Sequence, residues 1–191
     1  MSRPFKIAVA GSHSTGKTTF LTTLQRAIED LGLKADYVHD SAADARDLGF
    51  PILSGHTFES TAWLMARAIE LETAASLTAD VILVDRPLHD ALGYLRAALA
   101  YSGRSIEASR MHTLEGLCEA WAAEYDLMFV TAIDPAIPVA EGRDPDLLFR
   151  DRAAKEVRKV IETYFPSRWQ LLRPDAEETV LSHLRERSAR A

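Results

Sequence analysis

The chain has 191 residues, enough for one well-packed domain and too few for two ordinary ones. Hydrophobic residues make up 47% of it, a globular composition that excludes a disordered chain. A formal charge of −6 argues against a nucleic-acid partner held by broad phosphate neutralisation, and the single cysteine, Cys118, rules out an internal disulfide.

Phe5 to Ala10 (FKIAVA) reads as a first strand, too short to be a secretory signal. The helix after the following glycine-rich stretch runs to about Leu31 and is ended by Gly32. Lys34 to His39 (KADYVH) reads as a second strand, thin in apolar residues, and a helical stretch from Ala42 to Leu48 follows Asp40. The segment GFPILSG carries the Gly and Pro of a loop. From Thr57 to Leu77, Trp63, Ala66, Ile69 and Leu71 fall at helical spacing and predict one long helix.

Val81 to Val84 (VILV) is nearly all apolar, as a strand covered on both faces should be. Pro87 suits the first turn of a helix over Leu88 to Ala100, and another helix spans Ser105 to Glu124. In the latter, Cys118 reads as a packing residue, consistent with a reducing cytosol. Asp126 to Thr131 (DLMFVT) is a fourth strand, and IDPAIPVAEGRDPD is a long loop. A charged helix from Leu147 to Tyr164, an edge strand Trp169 to Leu172 and a helix Ala176 to Arg187 follow. No stretch approaches the roughly 18 apolar residues of a membrane helix, so a cytoplasmic protein without a membrane partner is expected.

Strands alternating with helices imply parallel pairing through right-handed crossovers, and so a three-layer α/β sandwich over residues 1–191. Ligands bind such sheets at the carboxyl ends of the strands. The glycine-rich stretch, Asp40, Asp85 and the 132–146 loop all follow strand ends, and they converge on one edge.

Gly11 to Thr18 reads GSHSTGKT, the phosphate-binding G-x-x-x-x-G-K-[ST] pattern between a strand and a helix. Gly11 and Gly16 let the chain wrap a phosphate with the amides of Ser12, His13, Ser14 and Thr15 turned inward. Lys17 is the point charge for the β- and γ-phosphates, and Thr18 supplies a hydroxyl for Mg²⁺. Thr19 can add a phosphate contact at the helix N-terminus. ATP and Mg²⁺ are therefore the expected cofactors.

In VILVDRP, Asp85 closes an apolar strand, where a carboxylate reaches the magnesium shell or caps the next helix. Arg86 reads equally as a fork onto phosphate oxygens or as one arm of a salt bridge. Asp40 reads as a general base for an acceptor hydroxyl or as a helix cap, and Arg46 as a contact for an acidic group of the acceptor or a solvated residue. Arg143, Arg150 and Arg152 lie in and after the long loop, the place for a cationic lid over residues 134–152. Trp63, Tyr94 and Tyr101 fit either core positions or a stack on a base. Without further ligands, His13 and His89 do not make a metal pair: His13 shapes the loop, and His89 is expected on the helix surface near the cleft.

AGSHSTGKTT, the Asp40 to Arg46 segment, LGFPI, the Thr57 to Leu64 segment and DRPLHDALGY together resemble the P-loop kinase-like ATPases. The resemblance is to those related to the ribosylnicotinamide kinase domain of the NAD-biosynthesis regulator, a group similar in turn to thymidylate and deoxynucleoside kinases. It covers residues 5–102 well and the remainder loosely. It implies a three-layer P-loop sandwich with a mostly parallel five-stranded sheet of order 2-3-1-4-5. It further implies ATP on Gly11 to Thr19, Mg²⁺ on Thr18 and Asp85, Arg86 on phosphate and Asp40 by the acceptor hydroxyl. Relatives commonly carry Glu at the place of Asp40 and a small polar residue at that of Pro87.

The expected activity is ATP- and Mg²⁺-dependent phosphoryl transfer to a small nucleoside, nucleotide or nicotinamide riboside-like acceptor. Lys17, Asp40, Arg86 and Arg150 carry the chemistry, and Asp40, Arg46, Trp63, Arg86 and Tyr94 bind the acceptor. The alternative is a P-loop regulatory ATPase or nucleotide-binding switch without an acceptor. A guanine-specific GTPase is disfavoured, since DLMFVTAIDP stands where an N-K-x-D-like segment would be. The oligomeric state stays open, a homodimer included.

Overall fold

A computed structural model describes residues 3–133 and 146–189. Five strands form one sheet: β1 (Phe5–Ala10), β2 (Ala35–Val38), β3 (Val81–Asp85), β4 (Leu127–Val130) and β5 (Trp169–Leu171). Their order is β2-β3-β1-β4-β5 and every pairing is parallel. The helices are α1 (Lys17–Asp30), α2 (Ala42–Asp47), α3 (Phe58–Ala75), α4 (Leu88–Ser102), α5 (Ala108–Ala122), α6 (Leu147–Tyr164) and α7 (Ala176–Ser188). The three-layer sandwich and its strand order are thus those expected. Among the described residues no helix is long and apolar enough to cross a membrane.

The two-residue period of β1 sorts the layers. Ile7 and Val9 pack with Leu21, Leu24 and Ile28 of α1 and with Val180 and Leu184 of α7. Ala8 and Ala10 face the other way, into a core with Tyr94 and Ala98 of α4 and Phe149, Val157 and Ile161 of α6. A third cluster, Met65, Leu92, Leu114, Cys118 and Val160, binds α3, α4, α5 and α6 outside that layer. Cys118 is buried there, in the packing role expected of it.

α4 and α6 cross closely because residue 93 is glycine: a Cβ there would lie 2.6 Å from the Val157 Cα. That approach brings the start of α6 up to the glycine-rich loop. α3 begins where it does because Thr57 accepts a hydrogen bond from the Ser60 amide while the Ser60 hydroxyl accepts one from the Thr57 amide.

Two local features differ from the sequence reading. GFPILSG contains a 3-10 turn, Leu53–Gly55, closed by bonds from Gly55 N–H to Ile52 and His56 N–H to Leu53. His89 is not on the helix surface: it is fully buried, with Nε2 at 2.9 Å from the Cys118 carbonyl and its ring against Tyr125, Tyr164 and Phe165. The interior here is aromatic on three sides, so an imidazole packs as one more ring. The greater part of the expected lid, with Arg143, lies outside the described residues.

Candidate functional site

The carboxyl ends of β1, β2, β3 and β4 deliver Gly11, Asp40, Arg86 and Thr131 to one edge of the sheet. Between Gly11 and Lys17 the chain passes through Gly11 (φ 140), Ser14 (φ 54) and Gly16 (φ 83). Left-handed residues among ordinary ones turn consecutive amides toward one point, the geometry of an anion nest. The amides of Lys17, Thr18 and Thr19 open α1 and have no intrahelical partner. The dipole of α1 adds positive potential at the same point.

The loop is clamped from behind. Gly11 N–H donates to the Asp90 carboxylate at 3.1 Å, and His13 N–H donates to the Tyr94 hydroxyl at 3.1 Å. Arg150, 4% exposed at the start of α6, donates to the His13 carbonyl at 3.2 Å and the Ser14 carbonyl at 2.8 Å. Thr131 closes the near side: its hydroxyl lies 2.7 Å from that of Thr15, and a Cβ on residue 11 would meet it at 2.0 Å. Only glycine fits at position 11. Arg152 does not join this group; it bonds the Ala100 carbonyl and lies over Tyr101.

Lys17 folds into the loop, Nζ at 2.5 Å from the Ser12 carbonyl and 3.2 Å from that of Gly11. Burial pushes its ammonium down to about 7, and the charge of Arg86 adds to the effect. Asp90 moves the other way: burial raises its carboxyl to about 7 against the pull of Arg86.

Thr18 and Asp85 meet as expected, the hydroxyl donating to Asp85 Oδ2 at 2.8 Å, and the Tyr37 hydroxyl donates to the same oxygen at 2.8 Å. Asp85 Oδ1 is buried and has no partner. A buried carboxylate oxygen left open costs free energy unless something fills it. One hydroxyl and one open carboxylate oxygen suit a hard cation such as Mg²⁺, which takes one or two protein oxygens together with phosphate and water. Among the described residues no three His, Cys, Asp or Glu side chains gather into a metal cage.

Across the loop, Arg86 Nε donates to Asp40 Oδ2 at 2.8 Å, while Nη1 reaches the Gly11 carbonyl at 3.1 Å and Asp90 Oδ2 at 3.4 Å. Its guanidinium lies 5.0 Å from the centre of the Tyr94 ring. Burial opposes the charge of Arg86, but Tyr94, Asp40 and Asp90 bind its proton more tightly than usual. The residue is left-handed (φ 69), a strain of about 1–2 kcal/mol for a side chain with a Cβ. Ser41, not Asp40, is the cap residue of α2, but the Asp40 carboxylate accepts the Ala42 amide at 2.9 Å and so helps turn the chain into that helix.

Asp40, Arg46, Arg86 and Tyr94 line one cleft with about 740 Å³ of empty space, part of it open to solvent. Val38, Ile52, Leu53, Leu64 and Leu88 supply apolar walls. Trp63 is not brought in; it is half-buried on α3 against Phe50. Sequence reasoning missed Asp90, Thr131, Tyr37 and His56. Asp90 was the legible one, since a carboxylate one helical turn after Asp85-Arg86 faces the same way as Arg86.

Sheet order, loop and site define a P-loop nucleotide-binding domain. The chain belongs to the AAA domain family, whose model matches residues 6–173. No curated protein matches it. Among solved structures it is similar to the NadR protein in complex with NAD and AMP-PNP, at 16% identity and TM-score 0.63, over 89% of this chain and 44% of that one. The NadR protein in complex with NR is similar at 17% identity and TM-score 0.61, over 88% and 43%. Deoxyadenosine kinase from M. mycoides with bound dATP is similar at 14% identity and TM-score 0.62, over 95% and 100%. The chain spans less than half the length of the NadR chains. These are the groups its motifs resemble, and at such identities the likeness is one of fold.

Proposed function

We propose that the chain is an ATP-dependent small-molecule kinase whose acceptor is a nucleoside, nucleotide or nicotinamide riboside-like compound. One observation carries this reading: the phosphate loop faces a cleft in which a carboxylate, Asp40, is fixed 2.8 Å from Arg86. A hydrolytic switch needs no such second cleft. The ligands named for the similar structures (AMP-PNP, NR and dATP) belong to the same chemistry.

The loop amides and Lys17 bind the triphosphate. Thr18 and Asp85 are the residues that would hold Mg²⁺, which when bound neutralises charge on the phosphates. Arg86 orients the Asp40 carboxylate, and Asp40 accepts the proton of the acceptor hydroxyl as that oxygen bonds to the γ-phosphorus. The bond from the γ-phosphorus to the bridging oxygen breaks and ADP leaves with its electron pair. Arg150 acts on the loop from behind rather than on the phosphates, since both its bonds go to loop carbonyls.

The test is phosphoryl transfer from ATP to a panel of nucleosides, nucleotides and nicotinamide riboside, with wild type beside Lys17→Ala. Wild type should phosphorylate at least one acceptor. The variant should lose at least about 10²-fold in turnover with its melting temperature preserved. Undiminished transfer by Lys17→Ala sinks the proposal. So does wild-type hydrolysis that no acceptor alters, the behaviour of a switch ATPase.

A further inference from the structure

His56 lines the acceptor cleft beside Asp40, Arg86 and Tyr94, yet nothing in the phosphoryl-transfer scheme uses it. It follows the 3-10 turn and precedes α3, and its backbone is pinned by Arg104, which donates to the Ser54 and His56 carbonyls at 3.0 and 3.1 Å. The residue is 4% exposed, its ring centre 5.6 Å from that of Tyr94. Nδ1 lies 2.9 Å from the Leu53 carbonyl. A carbonyl only accepts, so Nδ1 carries the hydrogen. The neutral ring then presents a bare lone pair at Nε2. Burial lowers the imidazole to about 4, with the charges of Arg86 and Arg104 adding to it and Asp40 opposing, so the ring is neutral at physiological pH. Among the described residues no protein group bonds Nε2.

We propose that His56 selects the acceptor: its Nε2 accepts a hydrogen bond from an N–H donor on the heterocycle of a nucleoside bound in the cleft. The occupant is therefore a ligand whose ring bears an amide or amine N–H, not one presenting only acceptors or a carboxylate, and on the kinase reading that ring carries the ribose. Val38, Leu53, Leu64 and Leu88 give the ring an apolar bed, and the fixed lone pair is the polar group that sets its orientation. A buried acceptor of this kind discriminates because a wrong ligand leaves it unpaired, which costs more than a weak contact gains. The inference rests on the kinase reading for the identity of the cleft.

The experiment compares binding within two matched pairs by calorimetry: adenosine against purine riboside, which lacks the exocyclic amine, and nicotinamide riboside against nicotinic acid riboside. In wild type, whichever pair binds should show the donor-bearing member about tenfold to a hundredfold tighter. His56→Phe should erase that preference by weakening the donor-bearing member alone. His56→Gln, whose amide oxygen can accept, should restore part of it, and it also serves if the Phe variant does not fold. Equal binding within both pairs, no binding of either pair, or a preference that survives in both variants overturns the proposal. Phosphoryl transfer is read in parallel. Selective binding without transfer defeats the kinase reading and leaves His56 as the selector; transfer without selectivity does the reverse.

Discussion

The two ends of the cleft are built by opposite means. At the phosphate end, one short loop is gripped from three elements: by Asp90 and Tyr94 of α4, by Arg150 of α6 and by Thr131 after β4. Its Gly11 and His13 amides and the carbonyls of Gly11, Ser12, His13 and Ser14 are already bonded before any ligand arrives. At the other end, the six-residue α2, a 3-10 turn and loop residues complete a wall begun by Val38 of β2, Leu64 of α3 and Leu88 of α4, with His39 and Arg46 exposed. On the proposed kinase reading, the first end recognises a constant group, so rigidity costs nothing in scope, and the second meets the part of a substrate that varies. Arg86 joins them, touching Gly11 on one side and Asp40 on the other.

That contrast breaks most visibly at Asp40. Asp40→Asn keeps an oxygen for the Ala42 amide but removes the charge that faces Arg86 and, in the proposed mechanism, the group that takes the proton. Transfer should fall about 10²–10⁴-fold in kcat/KM, while the affinity for an ATP analogue stays within about twofold. An equal loss in nucleotide affinity would show that the two ends are one mechanical unit.

Arg150 tests the other side with a smaller effect. Arg150→Met keeps the apolar stem and frees the His13 and Ser14 carbonyls, so the loop loses two charge-assisted bonds. Nucleotide affinity should drop about tenfold to a hundredfold by calorimetry, with turnover at saturating ATP largely kept. Unchanged affinity would mean that α4 and Thr131 suffice to hold the loop.

The same division decided what could be read from the chain. GSHSTGKT and VILVD carry their chemistry in local order, because a phosphate nest is made of consecutive backbone amides and a strand of consecutive apolar residues. α6, Leu147–Tyr164, lies where its periodicity put it. Thr131 and Arg150 escaped as loop supports because their role exists only once β4 and α6 have packed, 116 to 137 positions away in the chain. His89 was misplaced for a related reason: on a helix buried on several sides, periodicity no longer separates surface from core. Trp63 shows the converse, a side chain suited to stacking that meets Phe50 instead of the cleft.

The smallest expected effect separates a histidine of the acceptor wall from one of the core below. Burial lowers His56 to about 4 and His89 to about 3, from 6.5 in each case. Above pH 6.5 neither the folded nor the unfolded chain holds these protons, and the stability they permit is fully present. As pH falls below 6.5 the unfolded chain binds protons that the native state refuses, so stability is lost until about pH 4 for His56 and pH 3 for His89. Each contributes up to about 1.4 kcal/mol per pH unit in that window. Asp90 acts with the opposite sign, since its folded carboxyl holds a proton from about 7 down to 3.8 that the unfolded chain lacks. Asp90 thus offsets only about one of the two histidines, and the informative quantity is the difference between proteins. His89→Phe keeps an aromatic ring among Tyr125, Tyr164 and Phe165 and should remove one proton from the difference between the states. Urea unfolding at pH 5, 6, 7 and 8 should show wild type losing stability against the variant between pH 6 and 5, with parallel curves at 7 and 8. Parallel curves throughout would mean that the core admits a charged imidazole, and that His89 is less sealed than its packing indicates.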